Sequence, residues 1–173
     1  MPVKIRVSDP WYYYTLRCEH LPERPMQQLS DNLYITDAPT VRRLPEDHDF
    51  DEVVTLGYSP KPGYDFPTAS TTEDSFVFPD GEHDYDDFRA ATDYVLTAVN
   101  SDDKVLVHCQ AGISRSTGVC SVVLTECTDI TLAEALNHIE QSRPIANPAP
   151  EIRDTMEQYT GQSINPAPIH LTK

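Results

Sequence analysis

Short apolar segments, separated by polar turns, mark four strands between residues 32 and 108. Each is rich in residues that favour extended backbone and is bounded by Pro, Gly, Asp or Ser. The last of them, KVLVH, is almost continuously apolar, which is typical of a strand buried on both faces of a parallel sheet. The four segments are NLYIT at 32–36, EVVTLGY at 52–58, SFVFP at 75–79 and KVLVH at 104–108.

Other stretches have apolar residues at helical spacing. This spacing predicts a helix over about 84–100, and GVCSVVLTEC at 118–127 is apolar on most faces, which predicts a central helix. Thr131 and Glu134 fit a capping box that begins a third helix, and Arg143-Pro144 ends it. Pro148 and Pro150 introduce a last helix that stops near Gly161.

Strands alternate with helices and are then followed mainly by helices, which predicts the α/β class with a central, mostly parallel β-sheet flanked by helices. We expect a domain over residues 30–161. Residues 1–29 carry four prolines and no lasting period, so we expect an extension that packs on or near the domain, with WYYY at 11–14 covering part of the core. Residues 162–173 resemble a tail.

Composition and charge narrow the range of partners. The 173 residues are 39% apolar, which suits one compact domain, and no long apolar run or signal-peptide pattern is present, so we expect a cytoplasmic protein. The net charge of −15 predicts repulsion of nucleic acids and anionic membranes. Because salt screens self-repulsion, we hypothesise that this acidic chain is adapted to high salt.

The cysteines show neither CxxC pairs nor metal-type spacing with His, and we expect no metal and no cofactor. Cys120 and Cys127 lie in an apolar segment and are expected to be buried. Cys18 cannot be placed. Cys109 directly follows a predicted buried strand and needs a separate explanation.

The stretch VLVHCQAGISRS, residues 105–116, has the features of an anion site. A parallel strand delivers Cys109 to the carboxyl edge of the sheet, and a helix begins shortly afterwards with free amides and a positive dipole end. Gly112 permits a curled loop, Arg115 could grip two oxygens of an anion, and Ser116 could bond to the sulfur. The alternative, a buried Cys in an ordinary strand–turn–helix, does not explain this coincidence of residues.

HCQAGISRS, residues 108–116, resembles the HCxxGxxRS phosphate-binding loop of the cysteine-based protein tyrosine phosphatases. The short chain, the helix before the loop and the later R-P resemble the dual-specificity branch, over roughly residues 32–161. The resemblance implies that Cys109 attacks phosphorus to form a phosphocysteine and that Ser116 assists the departing thiolate. It implies that His108 helps to set the pKa of the Cys109 thiolate. It assigns phosphate binding to Gln110, Ala111, Gly112, Ile113, Ser114 and Arg115.

The mechanism also needs a general acid, which the family places about 30 residues before the cysteine. Asp80 is favoured because it follows a predicted strand at the same sheet edge and precedes Gly81. Asp84 is the second candidate, although it could instead cap the next helix. The remaining carboxyls are expected to be solvated or badly placed, and they are Glu73, Asp74, Glu82, Asp86 and Asp87.

The resemblance implies a protein phosphatase that acts on phosphotyrosine and on phosphoserine or phosphothreonine, with phosphoproteins or phosphopeptides as partners and with inhibition by vanadate. A basic phosphate loop would favour polyanionic substrates, and the loop has no cation besides Arg115. Two alternatives stay open. One is the same chemistry on a phosphoinositide, a nucleotide or an RNA end, and the other is an inactive phosphate-binding module.

Overall fold

The computed structural model describes residues 26–57 and 76–165. Five strands form one sheet in the order β1-β2-β5-β3-β4, in which β2, β5, β3 and β4 are parallel and β1 is antiparallel to β2. The strands are β1 (Gln27–Gln28), β2 (Leu33–Asp37), β3 (Glu52–Gly57), β4 (Phe76–Val77) and β5 (Val105–Cys109).

Helices cover both faces of the sheet. The main core lies between one face and four helices, with α3 at its centre in contact with α2, α4 and α5. A smaller cluster of Val41, Phe50, Val53 and Leu106 lies on the opposite face, under α1 and the segment that follows it. The helices are α1 (Ala38–Val41), α2 (Tyr85–Asn100), α3 (Arg115–Cys127), α4 (Leu132–Ser142) and α5 (Pro150–Thr160).

These observations confirm the predicted α/β class with a mostly parallel sheet. The capping box forms as predicted, since the Thr131 hydroxyl accepts from the Glu134 amide and the Glu134 carboxylate accepts from the Thr131 amide. Gly161 ends α5 in the left-handed conformation, at φ 68°. The central helix begins at Arg115, three residues before the apolar run that predicted it.

Two short elements were not predicted, because two or four residues cannot show a period. They are β1, which lies inside the predicted extension, and α1, which begins at the Asp37 N-cap. Leu29 and Ile164 belong to the main core, although both lie outside the predicted 30–161 domain. Over the described ranges, no helix is both long enough and apolar enough to cross a membrane.

The prediction that Cys127 is buried is wrong. It is the last residue of α3 and lies exposed with its neighbours Glu126 and Thr128, where the helix passes beyond the core, whereas Cys120 is fully buried as predicted. The WYYY cluster and Cys18 lie outside the described residues.

Candidate active site

Cys109 lies at the end of the central strand and directly faces the central helix. Strand β5 runs parallel to β2 and β3 on either side, so the carboxyl ends of three strands meet here. This edge is where open α/β sheets bind ligands. The Cys109 side chain is buried, and six residues later α3 begins at Arg115.

Arg143 holds the loop between Cys109 and α3 from behind. Its Nε donates to the Gly112 carbonyl at 2.7 Å, and its Nη2 donates to the Ala111 carbonyl at 3.4 Å. Nη1 donates to Gln27 Oε1 at 2.6 Å, and the Asp37 carboxylate lies 3.8 Å from Nη2. The guanidinium is 2% exposed, so this network is fixed by the surrounding packing.

The two neighbouring carbonyls are held in the same way. The Ala38 amide donates to Gln110 O at 3.1 Å, and the Asn147 amide donates to Ile113 O at 2.8 Å. In a trans peptide the C=O and the following N–H point in opposite directions. Holding the carbonyls of residues 110–113 therefore turns the amides of residues 111–114 to the other side, where successive amides make the kind of nest that suits an anion.

Gly112 is required at this position for two reasons. Its φ is +62°, in the left-handed region that side chains disfavour. A Cβ there would lie 2.4 Å from Arg143 Nη2 and 2.6 Å from the Thr36 carbonyl oxygen. The close approach of Arg143 to the loop therefore depends on a residue without a side chain.

The start of α3 adds further donors. Its N-cap residue, Ser114, makes no capping bond with its side chain, and the hydroxyl instead accepts from the Ala149 amide at 2.8 Å. The first-turn amides of α3 are consequently uncapped by that side chain, at the positive end of the helix dipole.

The surroundings of Cys109 favour the thiolate. Burial raises the pKa of the thiol, but the Arg115 charge and the hydrogen bonds from the Ser116 hydroxyl and amide outweigh it, so that the pKa lies below its usual value. Ser116 Oγ lies 3.2 Å from the Cys109 sulfur. A thiolate at this position would be a nucleophile at neutral pH.

Arg115 connects the surroundings of Cys109 to the segment that carries Asp80. Its Nη1 donates to the Phe78 carbonyl at 3.1 Å, and the side chain is almost fully buried. Its Nε is buried without a hydrogen-bond partner among the described residues. A buried donor of this kind needs an explanation, and an oxyanion in the nest would supply its acceptor.

Asp80 lies at the same sheet edge and interacts with the charges of Arg115 and Cys109. Burial raises the pKa of its carboxyl, against the opposing effects of the Ser114 hydroxyl and the Arg115 charge, and the Glu151 charge raises it further. Its Oδ1 is buried and has no hydrogen-bond partner among the described residues. A half-buried carboxyl with a raised pKa is suited to donating a proton.

The other predicted carboxyl candidates lie elsewhere. Asp84 is the N-cap of α2, where its side chain accepts from the Asp86 amide at 2.9 Å, so it occupies the capping position that was its alternative. Asp86 and Asp87 lie in the first turn of α2, and Glu82 is exposed. Glu73 and Asp74 lie outside the described residues.

His108 is fully buried beneath the loop. Its Nδ1 donates to the Cys109 carbonyl at 3.2 Å, which leaves Nε2 to accept from the Thr55 hydroxyl at 2.8 Å. Burial lowers the pKa of the ring to about 4, so the ring is neutral at physiological pH. It therefore orients the Cys109 peptide rather than supplying a positive charge.

Comparison with known proteins agrees with this geometry. The sequence model of the family described as dual specificity phosphatase, catalytic domain, matches residues 72–162, more than half of the chain. The chain belongs to this family. Dual specificity protein phosphatase 1-A from Xenopus laevis is 35% identical over 80 residues, 46% of this chain. That match spans only 22% of the length of this relative.

Solved structures show the same fold for this dual specificity phosphatase domain. The human tyrosine phosphatase-like serine/threonine/tyrosine-interacting protein superposes with a TM-score of 0.65 at 18% identity, over 80% of this chain and 97% of that one. PTPMT1 in complex with PI(5)P superposes with a TM-score of 0.61 at 16% identity, over 79% and 94% of the two chains.

Two residues of the phosphatase domain have contacts at the site that the sequence did not predict. Arg143 was interpreted as a helix end and, through the R-P dipeptide, as part of the family resemblance, but not as a contact of the loop. His83, next to the acid candidate, contacts α5 through Thr155. Within residues 26–57 and 76–165, no group of three His, Cys, Asp or Glu side chains is arranged to hold a metal ion.

Proposed function

We propose that this protein is a phosphatase that hydrolyses phosphate monoesters through a phosphocysteine, with phosphotyrosine and phosphoserine or phosphothreonine in proteins as substrates. The observation that carries the proposal is the nest of amides at residues 111–114 in front of a buried thiol with a lowered pKa. Such a nest binds a tetrahedral dianion, and the thiolate lies where it can attack phosphorus.

In the first step the Cys109 thiolate attacks phosphorus, an S–P bond forms and the P–O bond to the substrate breaks. The electron pair goes to the leaving oxygen, which takes the proton of Asp80. Arg115 and the loop amides stabilise the negative charge on the three equatorial oxygens. Preorganised donors of this kind supply most of the stabilisation of a transition state.

In the second step water attacks the phosphocysteine. The Asp80 carboxylate takes the proton of the water, the S–P bond breaks and phosphate is released. The departing thiolate accepts the hydrogen bond of Ser116, whose Oγ lies 3.2 Å from the sulfur. One carboxyl therefore serves as acid and then as base.

Protein phosphoesters suit this site better than polyanions. Apart from Arg115, the loop side chains of Gln110, Ala111, Ile113 and Ser114 carry no charge, and the chain has a net charge of −15. The fold shared with PTPMT1 in complex with PI(5)P supports a phosphoinositide as the second candidate substrate. A panel of phosphopeptides, inositol phosphates and nucleotides, assayed at equal phosphate concentration, distinguishes the two.

Turnover of an aryl phosphate tests the reaction itself. We expect Cys109→Ser to abolish it, whereas Cys127→Ser, which removes an exposed thiol at the far end of α3, should retain it. Acid-quenched wild type should contain a phosphate ester of cysteine, and vanadate should inhibit. Because Arg115 and the amides neutralise the phosphate, EDTA should not reduce the rate. Equal binding of phosphate by both variants without any turnover would instead indicate a phosphate-binding module.

A further inference from the structure

His83 lies three residues after Asp80 and joins this segment to α5. We propose that His83 is a positioning residue that clamps the loop of residues 79–83 to α5 and so holds Asp80 at the site. This inference rests on the proposed function, because it concerns the supply of a proton by Asp80. The loop of residues 79–83 is called the acid loop below.

Both ring nitrogens of His83 have partners. Nδ1 donates to the carbonyl of Gly81 at 2.7 Å, inside the acid loop, and Nε2 lies 2.9 Å from Thr155 Oγ1 on α5. A carbonyl oxygen can only accept, so Nδ1 carries a proton, and the contact between Nε2 and the Thr155 hydroxyl is a second hydrogen bond of the same ring. One side chain therefore connects the loop backbone to a neighbouring helix.

Aromatic packing fixes the orientation of the ring. The His83 ring centroid lies 5.5 Å from that of Phe78 and 6.1 Å from that of Phe88. Both phenylalanines are fully buried in the main core. The ring therefore has core contacts as well as two polar contacts, whereas a histidine on a solvated loop would have neither.

The rest of the acid loop has little support of its own. Among the described residues, the backbone groups of 79–83 make no backbone–backbone hydrogen bonds. Before the loop, Phe78 is held at both ends, since its amide donates to Gly57 O at 2.9 Å and its carbonyl accepts from Arg115. Asp80 therefore lies between an anchor at Phe78 and a second anchor at His83.

The clamp also places Asp80 beside the first turn of α5. Thr155 donates to the Glu151 carbonyl at 2.9 Å, so the residue that contacts His83 lies one turn from Glu151. The Glu151 charge adds to burial in raising the pKa of Asp80. Holding the loop against α5 thus favours the protonated carboxyl as well as its position.

A leaving-group comparison tests the clamp. Phenyl phosphate needs a proton on its departing oxygen, whereas 2,4-dinitrophenyl phosphate does not, so only the first depends on the acid. His83→Phe keeps the ring packing and loses both polar contacts, and Thr155→Val removes one partner. We expect each to lower kcat/KM for phenyl phosphate about tenfold more than for the dinitrophenyl ester, a part of the full contribution of a general acid.

Two controls separate positioning from a general loss of structure. Thr125 is a buried helical threonine whose hydroxyl donates to the carbonyl four residues earlier, as that of Thr155 does, but it lies at the far end of α3. Thr125→Val should leave both rates unchanged. His83→Gln, which restores a polar group near Nε2, should recover part of the loss. In an Asp80→Ala background, His83→Phe should have no further effect on either ester.

The outcomes are distinct. An equal loss for both esters, or an additive loss in the Asp80→Ala background, overturns the clamp and leaves the proposed function intact. If the wild-type protein turns over neither ester, both the proposed function and the clamp are overturned. Thermal melts of each variant confirm that rates are compared between folded proteins, and Thr155→Val serves where His83→Phe unfolds.

Discussion

Replacing Arg143 with Met tests the idea that the phosphate nest is held from behind. Met fills a similar volume but removes the donors to the Ala111 and Gly112 carbonyls. A buried acceptor that loses its partner costs about 1–3 kcal/mol, so two of them, partly rehydrated, should lower the free energy of unfolding by about 3 kcal/mol.

The effect on activity follows from the peptide geometry. Arg143 aims the amides of Gly112 and Ile113, and removing one oxyanion donor outright costs about 10²–10³ in rate. The variant loosens two donors rather than deleting them, so we expect kcat/KM to fall about a hundredfold and vanadate inhibition to weaken in parallel. Arg143→Lys, which keeps the charge but lacks the planar fork, should lie between wild type and Arg143→Met.

The assay combines urea unfolding with steady-state turnover of an aryl phosphate, at a temperature at which circular dichroism shows each variant folded. Gln27→Met, which removes only the Nη1 contact and leaves the loop contacts, should lose stability with little change in rate. Arg89→Met removes an exposed guanidinium paired with Asp86 and controls for the change in net charge. A folded Arg143→Met with kcat/KM within threefold of wild type would refute the reasoning.

Three further predictions concern the acid, pH and salt. Asp80→Ala should lower turnover of a phosphotyrosine peptide roughly a hundredfold or more. Asp84→Ala should mainly lower the melting temperature, because it removes the N-cap of α2. A large loss of turnover in Asp84→Ala with little loss in Asp80→Ala would instead identify Asp84 as the general acid. In a profile of kcat/KM against pH, the rising limb reports the ionisation of Cys109, and its midpoint should lie below the pH at which an ordinary thiol ionises because the pKa of Cys109 is lowered. The falling limb reports the ionisation of Asp80, and its midpoint should lie above that of an ordinary carboxyl because the pKa of Asp80 is raised. Asp80→Ala should remove only the falling limb. If the acidic surface reflects adaptation to salt, the melting temperature should rise from low to molar KCl, and a flat response would contradict it.

Local sequence was sufficient to predict those elements whose structure depends on residues near one another in the chain. The apolar run before Cys109 indicated a buried strand, and Thr131 with Glu134 indicated the start of a helix, because both patterns act within a few residues. The motif at residues 108–116 indicated a loop between a strand and a helix, and the position of Asp80 after a strand indicated its sheet edge. The fold class followed from the order of these elements.

Contacts between distant residues were not predictable in this way. Arg143 and Gly112 are 31 residues apart, Arg143 and Gln27 are 116 apart, and His83 and Thr155 are 72 apart. No periodicity links such pairs, since each depends on how α4, α5 and β1 pack. The exposure of Cys127 likewise depends on where the core ends along α3, which an apolar run does not indicate.

These distant contacts explain why the nine-residue motif cannot build the site alone. Amides that converge on one point carry like partial charges and repel one another, so the loop conformation is unfavourable in isolation. Here their carbonyls are held by two separate parts of the chain, α1 and the segment after α4 that carries Arg143 and Asn147. The same bonds that stabilise the loop therefore aim its donors at the anion. For this reason we expect Arg143→Met to lose stability and anion affinity together, whereas a loss of stability at Gln27, which does not touch the loop, should leave anion affinity nearly unchanged.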